Sequence, residues 1–527
     1  MSSIKKIALS MAVAGTATFA ISAASAATIV IGNGAEPASI DPGKIEGQPG
    51  GMVAYQLFEG LTALNSEGEV IPGAAESWTA TENNTVWTFE LRDGLKWSNG
   101  EDVTAADFEY AWKRVVSPEL ASPYSWYMSK AAQIKNAQEA IDGTVEPSML
   151  GVTAVDEDTL RVELKQSVPY FPSVAAHYTM YPVPQEVIEE HGDMWTRPGN
   201  MVSNGAYKLD AWTLNEKMDL VRNTNYWDNA NVALDGVTFL PIEDENSELA
   251  RFEAGEIHVT ATVPNAQIPR LKREFADEFT IYPNLAVYYY EFNTEEPPFD
   301  DRRVRKALSL AIDREVIVRA VTKGGQTPAY TFVPTFVAGF EAPTVAESSL
   351  NQIERDRMAI ELLAEAGFGK DNPLEVDFLY NTSEFHRSVA VAISQMWKQK
   401  LGVEMNLQNQ EWKTFLETKK AGGFDVARAG WGGDYNEAST FLDLLRTGHG
   451  NNDSNFSNAE YDRLLVEAAR AENANEYYTK AEAIISEEAP LAPIFYYTRT
   501  RMISENVQGW PVGNAQDVVY VKDLSLQ

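Results

Sequence analysis

Between Met358 and Gly432 the chain alternates helix and strand signals, and that rhythm limits the folds open to it more than any other feature. Met358, Leu362, Leu363 and Ala366 recur at the spacing of one helix face, and Gly367 stops that helix. Leu374, Val376 and Phe378 then alternate with polar neighbours as a strand. The pattern returns: Val389, Ile393, Met396, Trp397 and Leu401 mark a helix ended by Gly402, and Val403, Met405 and Leu407 a second strand. A third helix is predicted from Trp412 to Gly422, with a third strand starting at Phe424 and Val426. Such alternation implies right-handed βαβ crossovers and a largely parallel sheet, whose ligands sit beyond the carboxyl ends of its strands.

The first half has another rhythm. Trp87, Phe89 and Leu91 share a strand face, and Asp93-Gly94 reads as the turn of a hairpin returning through Leu95 and Trp97. Thr104 then stands three residues before Asp107 as a capping pair, with Phe108, Ala111, Trp112 and Val115 at helical spacing behind it. Trp87, Trp97 and Trp112 are expected in the core. The 527 residues are enough for several domain-sized units. With no internal repeat and no low-complexity linker, these units should pack together around one long cleft between two lobes.

Lys5 and Lys6, an apolar stretch from Ile7 to Ile21 and the small residues Ala24-Ser25-Ala26 have the form of a cleavable signal peptide over residues 1–26. The mature chain is expected to be exported, soluble and periplasmic. A formal charge of −33 repels phosphate backbones and anionic lipid surfaces, so nucleic acid is excluded as a partner. The absence of cysteine removes disulfides, thiolate zinc sites, iron–sulfur clusters and cysteine nucleophiles together. The five histidines contain no HExxH pair and are expected in ordinary surface or packing roles. No cofactor and no metal site are expected.

The chemistry concentrates between Phe424 and Asn436. Alternation places Arg428 on the side of Phe424 and Val426, near the end of its strand. A glycine-rich loop over Gly430, Gly432 and Gly433 would let the backbone approach a ligand closely, with Trp431 between Arg428 and Asp434. A guanidinium fork, a flat aromatic and a carboxylate suit a zwitterion with separated charges, such as a peptide. Two alternatives remain open: Asp434 or Asn436 caps the helix marked by Phe441, Leu442 and Leu445, and Arg428 pairs with a neighbouring carboxylate. The loop lacks both glycine patterns used for phosphates. His386 follows Asn381, Thr382 and Ser383 at a helix entry and, taken alone, reads as a surface histidine. Tyr288, Tyr289 and Tyr290, with Phe495, Tyr496 and Tyr497, lie on two more strands whose alternate rings face opposite sides, about half of them in the core.

Several runs carry a likeness along almost the whole mature chain. They include Ile40-Asp41-Pro42, Leu57-Phe58-Glu59-Gly60-Leu61, Ala75-Glu76-Ser77-Trp78 and Lys96-Trp97-Ser98-Asn99-Gly100. Others are Ser203-Asn204-Gly205-Ala206-Tyr207, Pro297-Pro298-Phe299, the run from Asn409 to Leu416 and that from Asp425 to Asn436. In order and spacing they resemble the oligopeptide-binding proteins of ABC transporters, the peptide/nickel type of solute-binding family 5.

The resemblance implies an α/β, three-lobed periplasmic binding fold with mixed sheets flanked by helices, two lobes closing over a cleft. Its divisions would be lobe I at 27–58, 184–285 and 499–527, lobe II at 59–183 and lobe III at 286–498. It also implies a monomeric, non-catalytic receptor that binds short peptides of almost any sequence and delivers them to a membrane permease. Asp434 matches the residue that holds the peptide ammonium, and Arg428 and His386 match residues that meet terminal carboxylates. Trp412, Trp431, Tyr124, Tyr497 and Glu46 are similar to residues lining roomy side-chain pockets, and Gly430 belongs to the same backbone. Gly432 departs from the cysteine of the best-known members, and a lysine serving longer peptides is displaced by one position, at Lys323 beside Thr322. A murein tripeptide-binding paralogue is the alternative, with sugar- or nickel-binding branches further off. From another class, an exported hydrolase with paired carboxylates remains a rival.

Overall fold

The computed structural model describes residues 27–471 and 473–527, so the expected signal peptide over 1–26 lies outside the described residues. Strand β1 (Thr28–Gly32) opens a first sheet. The chain leaves it to build a second, antiparallel sheet from β2 (Ala75–Thr81), β3 (Val86–Leu91), β4 (Val152–Ala154) and β5 (Thr159–Glu163), in the order β2-β3-β5-β4. It then returns to the first sheet through β6 (Tyr207–Thr213), β7 (Lys217–Arg222) and β8 (Gly236–Leu240), and β1 pairs parallel with β8.

A third sheet of six strands holds β9 (Phe279–Phe292), β10 (Thr327–Pro328), β11 (Glu375–Asn381), β12 (Glu404–Gln410), β13 (Val426–Gly432) and β14 (Leu491–Met502). Their order is β10-β14-β9-β13-β11-β12. The expected parallel block is present, since β11 runs parallel to both β12 and β13. The rest is antiparallel: β9 pairs with β13 on one edge and β14 on the other. The sheet is mixed because β9 and β14 enter through long connections, not through the crossover helices that force neighbouring strands parallel.

Local chemistry sets the helices. In α1 (Ala105–Val115) the Thr104 and Asp107 side chains form the expected capping box, and Phe108, Ala111, Trp112 and Val115 are buried. Helix α2 (Gln352–Glu365) has the same device in Asn351 and Glu354. Helix α3 (Glu384–Leu401) starts at Ser383, whose hydroxyl accepts the His386 N–H, and stops at Gly402 with φ +73°. Helix α4 (Trp412–Lys420) is capped by the Glu411 carboxylate. Among the described residues no helix is long and apolar enough to cross a membrane.

Four local readings are corrected. The run after Asp93-Gly94 does not pair with β3, because β2 and β5 already occupy both edges of that strand; Lys96 bridges Asp102 instead. Trp87, Trp97 and Trp112 are core residues as expected. Phe424 precedes β13 and packs with Leu379, Phe415 and Ala427, whereas Val426 packs with Tyr288 and Tyr290 in the opposite cluster. The glycines are not a loop after the strand: Gly430 and Gly432 lie within β13, opposite Tyr288 and Ala286. Of the six rings expected to be half in the core, five are buried, Tyr288, Tyr290 and Phe495 in one cluster and Tyr289 and Tyr496 in another. A central sheet covered on both faces has no solvent side to which alternate rings could turn.

Candidate ligand-binding site

Strand β13 presents Arg428, Gly430 and Gly432 along one face. Two missing side chains leave bare peptide groups there, which is where another backbone can approach. A Cβ on Gly430 would lie 3.1 Å from the Tyr497 hydroxyl and 3.2 Å from Arg428 Nη2, so this glycine makes room for that pair. A Cβ on Gly432 would meet nothing within 4 Å and would point into open space.

Arg428 forms no ion pair with a carboxylate among the described residues. Its Nη2 donates to the Tyr497 hydroxyl at 2.6 Å and its Nη1 to Asn381 Oδ1 at 3.2 Å, and the guanidinium lies 5.2 Å from the Tyr288 ring centroid. Burial works against its charge, yet Tyr497 and Tyr288 outweigh burial and hold the pKa above the ordinary arginine value. Nε is buried without a partner. His386, on the first turn of α3, stands 5.7 Å from the same Tyr288 ring. Burial and then the neighbouring Arg428 charge hold its pKa well below normal, and its Nδ1 has no partner. The surface-histidine reading is overturned, because the helix entry it occupies faces the sheet.

Beyond β13 the backbone of Asp434 is fixed at both ends. Its N–H donates to Thr440 Oγ1 at 3.0 Å and its carbonyl accepts from Gln516 Nε2 at 2.9 Å. The carboxyl caps no helix; at the short helix Ser439–Leu442 it is Glu437 whose carboxylate accepts the Ser439 N–H, at 2.7 Å. Asn436 accepts from the Ala338 N–H. The capping alternative therefore falls for both residues, as does carboxylate pairing for Arg428. With 10% of the Asp434 side chain exposed and Oδ2 lacking any partner, burial raises its pKa to about 8.

Sequence reasoning missed His177, which faces Asp434 Oδ1 through Nε2 at 3.5 Å. Its Nδ1 accepts the Thr179 N–H at 3.4 Å, which assigns the ring proton to Nε2. Burial lowers its pKa to about 3, so the contact is between neutral groups and is not a salt bridge. Tyr124 stacks on this imidazole at 5.5 Å, with Tyr127 at 4.7 Å and Tyr178 at 3.9 Å. Only the aromatic density of the run from His177 to Tyr181 could have drawn attention to it.

Glu46 accepts from Lys420 Nζ at 2.7 Å, which ties the segment before Gly47 to the end of α4. Gly47, at φ +86°, packs so closely on Trp412 that a Cβ would fall 2.6 Å from Cζ2. Burial, and then a neighbouring tyrosine and Asp434, with Glu46 acting more weakly, push the pKa of Tyr124 up. Glu46 is thus within electrostatic reach of Tyr124. Trp431 is buried and its indole N–H donates to the Thr440 carbonyl at 2.6 Å, so it offers a ring face but no free donor. Lys323 caps a helical turn at φ +59° and is exposed, and its side chain forms no hydrogen bond or ion pair among the described residues. A cavity of about 350 Å³ opens beside the site, between Ser122, Pro123 and Ser125 on one side and Lys420, His449 and Asp453 on the other.

Buried polar atoms without partners gather on these residues and their neighbours, among them Asp434 Oδ2, Arg428 Nε, His386 Nδ1, Trp412 Nε1 and Gln410 Oε1. Orphaned buried groups are costly and call for an explanation. Here a carboxyl with a free oxygen stands beyond one end of a bare strand and a cationic donor at the other. Roughly 13 Å of strand separates Arg428 from Gly432, the length of about four extended residues. A zwitterionic chain laid along β13 would satisfy both ends.

Fold and cleft together define a binding protein that encloses its ligand between units of mixed sheet and helix. The chain belongs to the bacterial extracellular solute-binding proteins, family 5, whose model matches residues 69–453. It is 44% identical over 93% of its length to the periplasmic murein peptide-binding protein MppA of Escherichia coli, covering 91% of that protein. To the periplasmic oligopeptide-binding protein OppA of Salmonella typhimurium it is 42% identical over 99% of both chains. The structure of MppA superposes with a TM-score of 0.94 at 43% identity, covering 95% of this chain and 99% of that one. Haemophilus influenzae OppA in complex with the peptide RPPGFSPFR gives 0.92 at 42% identity, again over 95% and 99%. Against the unliganded open form of MppA the score is only 0.68 over 95% and 98%. Sequence being equal in the two MppA comparisons, the difference is one of arrangement, and this chain is not in the open one.

Proposed function

We propose that this chain is an exported receptor that encloses short peptides with little regard to their sequence and passes them to an ABC permease, without chemical turnover. The signal-peptide pattern over 1–26 and the periplasmic relatives support an exported, periplasmic location. We take lobe I as 27–58, 184–285 and 499–527, lobe II as 59–183 and lobe III as 286–498, acting as a monomer.

The observation that carries the reading is the pairing of opposites along β13. Asp434 is nearly buried with a free carboxyl oxygen, and Arg428 is half-buried with no carboxylate partner among the described residues. The first suits a peptide ammonium and the second, with His386, its terminal carboxylate. Two charge-assisted contacts at about 1.5–3 kcal/mol each leave only a few kcal/mol of the roughly 8 needed for micromolar affinity. Backbone hydrogen bonds to β13 and burial can supply that remainder without reading side chains. A second reading, a murein peptide receptor, is favoured by the likeness to MppA.

Calorimetry with trialanine and with an oligosaccharide tests the class of ligand. Heat with the peptide alone is expected; heat with the sugar alone would overturn the proposal.

A further inference from the structure

Trp126 precedes a turn of π-helix at Tyr127–Ala131 in the unit built on β2–β5, yet its indole is seated in the other side of the cleft. Nε1 donates to Asn451 Oδ1 at 2.9 Å, and the ring centroid lies 4.2 Å from that of His449. Gly450 completes the seat: a Cβ there would come 3.3 Å from Trp126 Cδ1, closer than most side chains tolerate. Trp126 is 7% exposed and its only polar hydrogen is already used by protein, so it has no free donor for a ligand.

The receiving loop is held firmly in its own unit. The Ser454 carbonyl accepts from the Thr294 N–H and hydroxyl, each at 2.9 Å, beside β9. Asp453 is gripped by Lys419 Nζ at 2.8 Å. A rigid socket and an inserted ring thus meet across the cleft, and the ring centroid also lies 5.1 Å from that of Tyr124 and 6.1 Å from that of Trp431.

We propose that Trp126 is a positioning residue that latches the two sides of the cleft, and that this latch forms in the empty protein as well as around a ligand. Its effect on peptide binding rests on the function proposed above, but its effect on the empty protein does not. Apparent affinity scales with the fraction of molecules in the binding-competent arrangement, so a weaker latch lowers affinity for every peptide by one common factor. A residue that touched the ligand would instead change the ranking of peptides.

The chain has no cysteine, so dyes placed through Ser148→Cys and Glu404→Cys, both exposed, report the cleft by single-molecule energy transfer. In the empty protein, Trp126→Phe keeps the ring and loses the N–H, and Asn451→Ala removes the acceptor. Each is expected to lower the closed-to-open ratio roughly two- to tenfold, as for one hydrogen bond, with the double variant no worse than either alone. Dissociation of trialanine and of lysyl-alanyl-alanine should speed up by similar factors. An empty protein with no closed population, an unchanged ratio in both variants, or unequal effects on the two peptides would each overturn the latch. Absence of peptide binding in the parent would instead remove the proposed function and leave the empty-protein result standing.

Discussion

His177 Nε2 faces Asp434 Oδ1 at 3.5 Å across the cleft, and burial keeps both groups neutral. Half of the carboxyl is thereby oriented by an uncharged donor while the other half stays free. Among the described residues no cationic neighbour offsets the burial of Asp434, so a cation brought by the ligand would favour its ionised form. The other titratable groups around it, Tyr55, Tyr124, Tyr127 and Tyr178, have their own pKa values raised and remain neutral.

Closure of the empty protein should therefore depend on pH. An exposed aspartate has a pKa of about 3.9, and the buried Asp434 one of about 8. Protonation favours the closed arrangement, so this contribution is complete below the exposed value and is lost as pH rises through the buried one. Below an exposed histidine's value of about 6.5 the buried His177, held to about 3, works the opposite way and offsets this slope, so the closed fraction should fall most steeply, by up to about tenfold per pH unit, above that value and level off past the buried Asp434 value. Asp434→Asn should flatten the dependence. Glu245, buried against Ser383 and Phe385 and raised to about 7, acts in the same direction and would leave a smaller residual slope in that variant.

The same Asp434→Asn variant should lose peptide affinity by roughly ten- to a hundredfold, the worth of one charge-assisted contact. Its melting temperature without peptide should be unchanged or higher, since the carboxyl caps nothing and ionises at a cost. Calorimetric titration and scanning calorimetry read the two quantities separately. A large drop in melting temperature would contradict the geometry described for this side chain.

At the opposite end, Arg428→Met should weaken peptides with a free carboxylate by a similar factor and leave C-amidated peptides nearly unaffected. Tyr497→Phe removes only the phenolic partner at 2.6 Å and should cost less, about 0.5–1.5 kcal/mol. Equal losses for free and amidated peptides would show that Arg428 acts through the fold and not through the terminus.

The two glycines of β13 should behave differently. Gly430→Val places a side chain against the Tyr497–Arg428 pair and should abolish tight binding, while Gly432→Ala adds a methyl that meets no protein atom within 4 Å and should leave the fold intact with a smaller loss of affinity. Circular dichroism with a peptide titration distinguishes the two.

The alternating elements from α2 to β13 were legible because each carries its own periodicity and stop signal, as Gly402 and Ser383 illustrate. What could not be read was partnership over long distance. β3 reads as half of a local hairpin, yet its neighbours start at Ala75 and Thr159, and no local signal encodes them. The site divides in the same way. Arg428, Trp431 and Asp434 share one segment and stand out together. His177 and Trp126 enter from remote segments, and only packing across the cleft gives them a role. Gly430 was legible as a close approach, but the object approached, the Arg428–Tyr497 pair, comes partly from β14.

The most direct test of the account is a calorimetric titration at neutral pH comparing trialanine with its N-acetylated, C-amidated form. With both ends read by charge and the middle unread, blocking should lower affinity by about 10² to 10⁴, corresponding to about 3–6 kcal/mol. Equal affinity for the free and blocked peptides would contradict it.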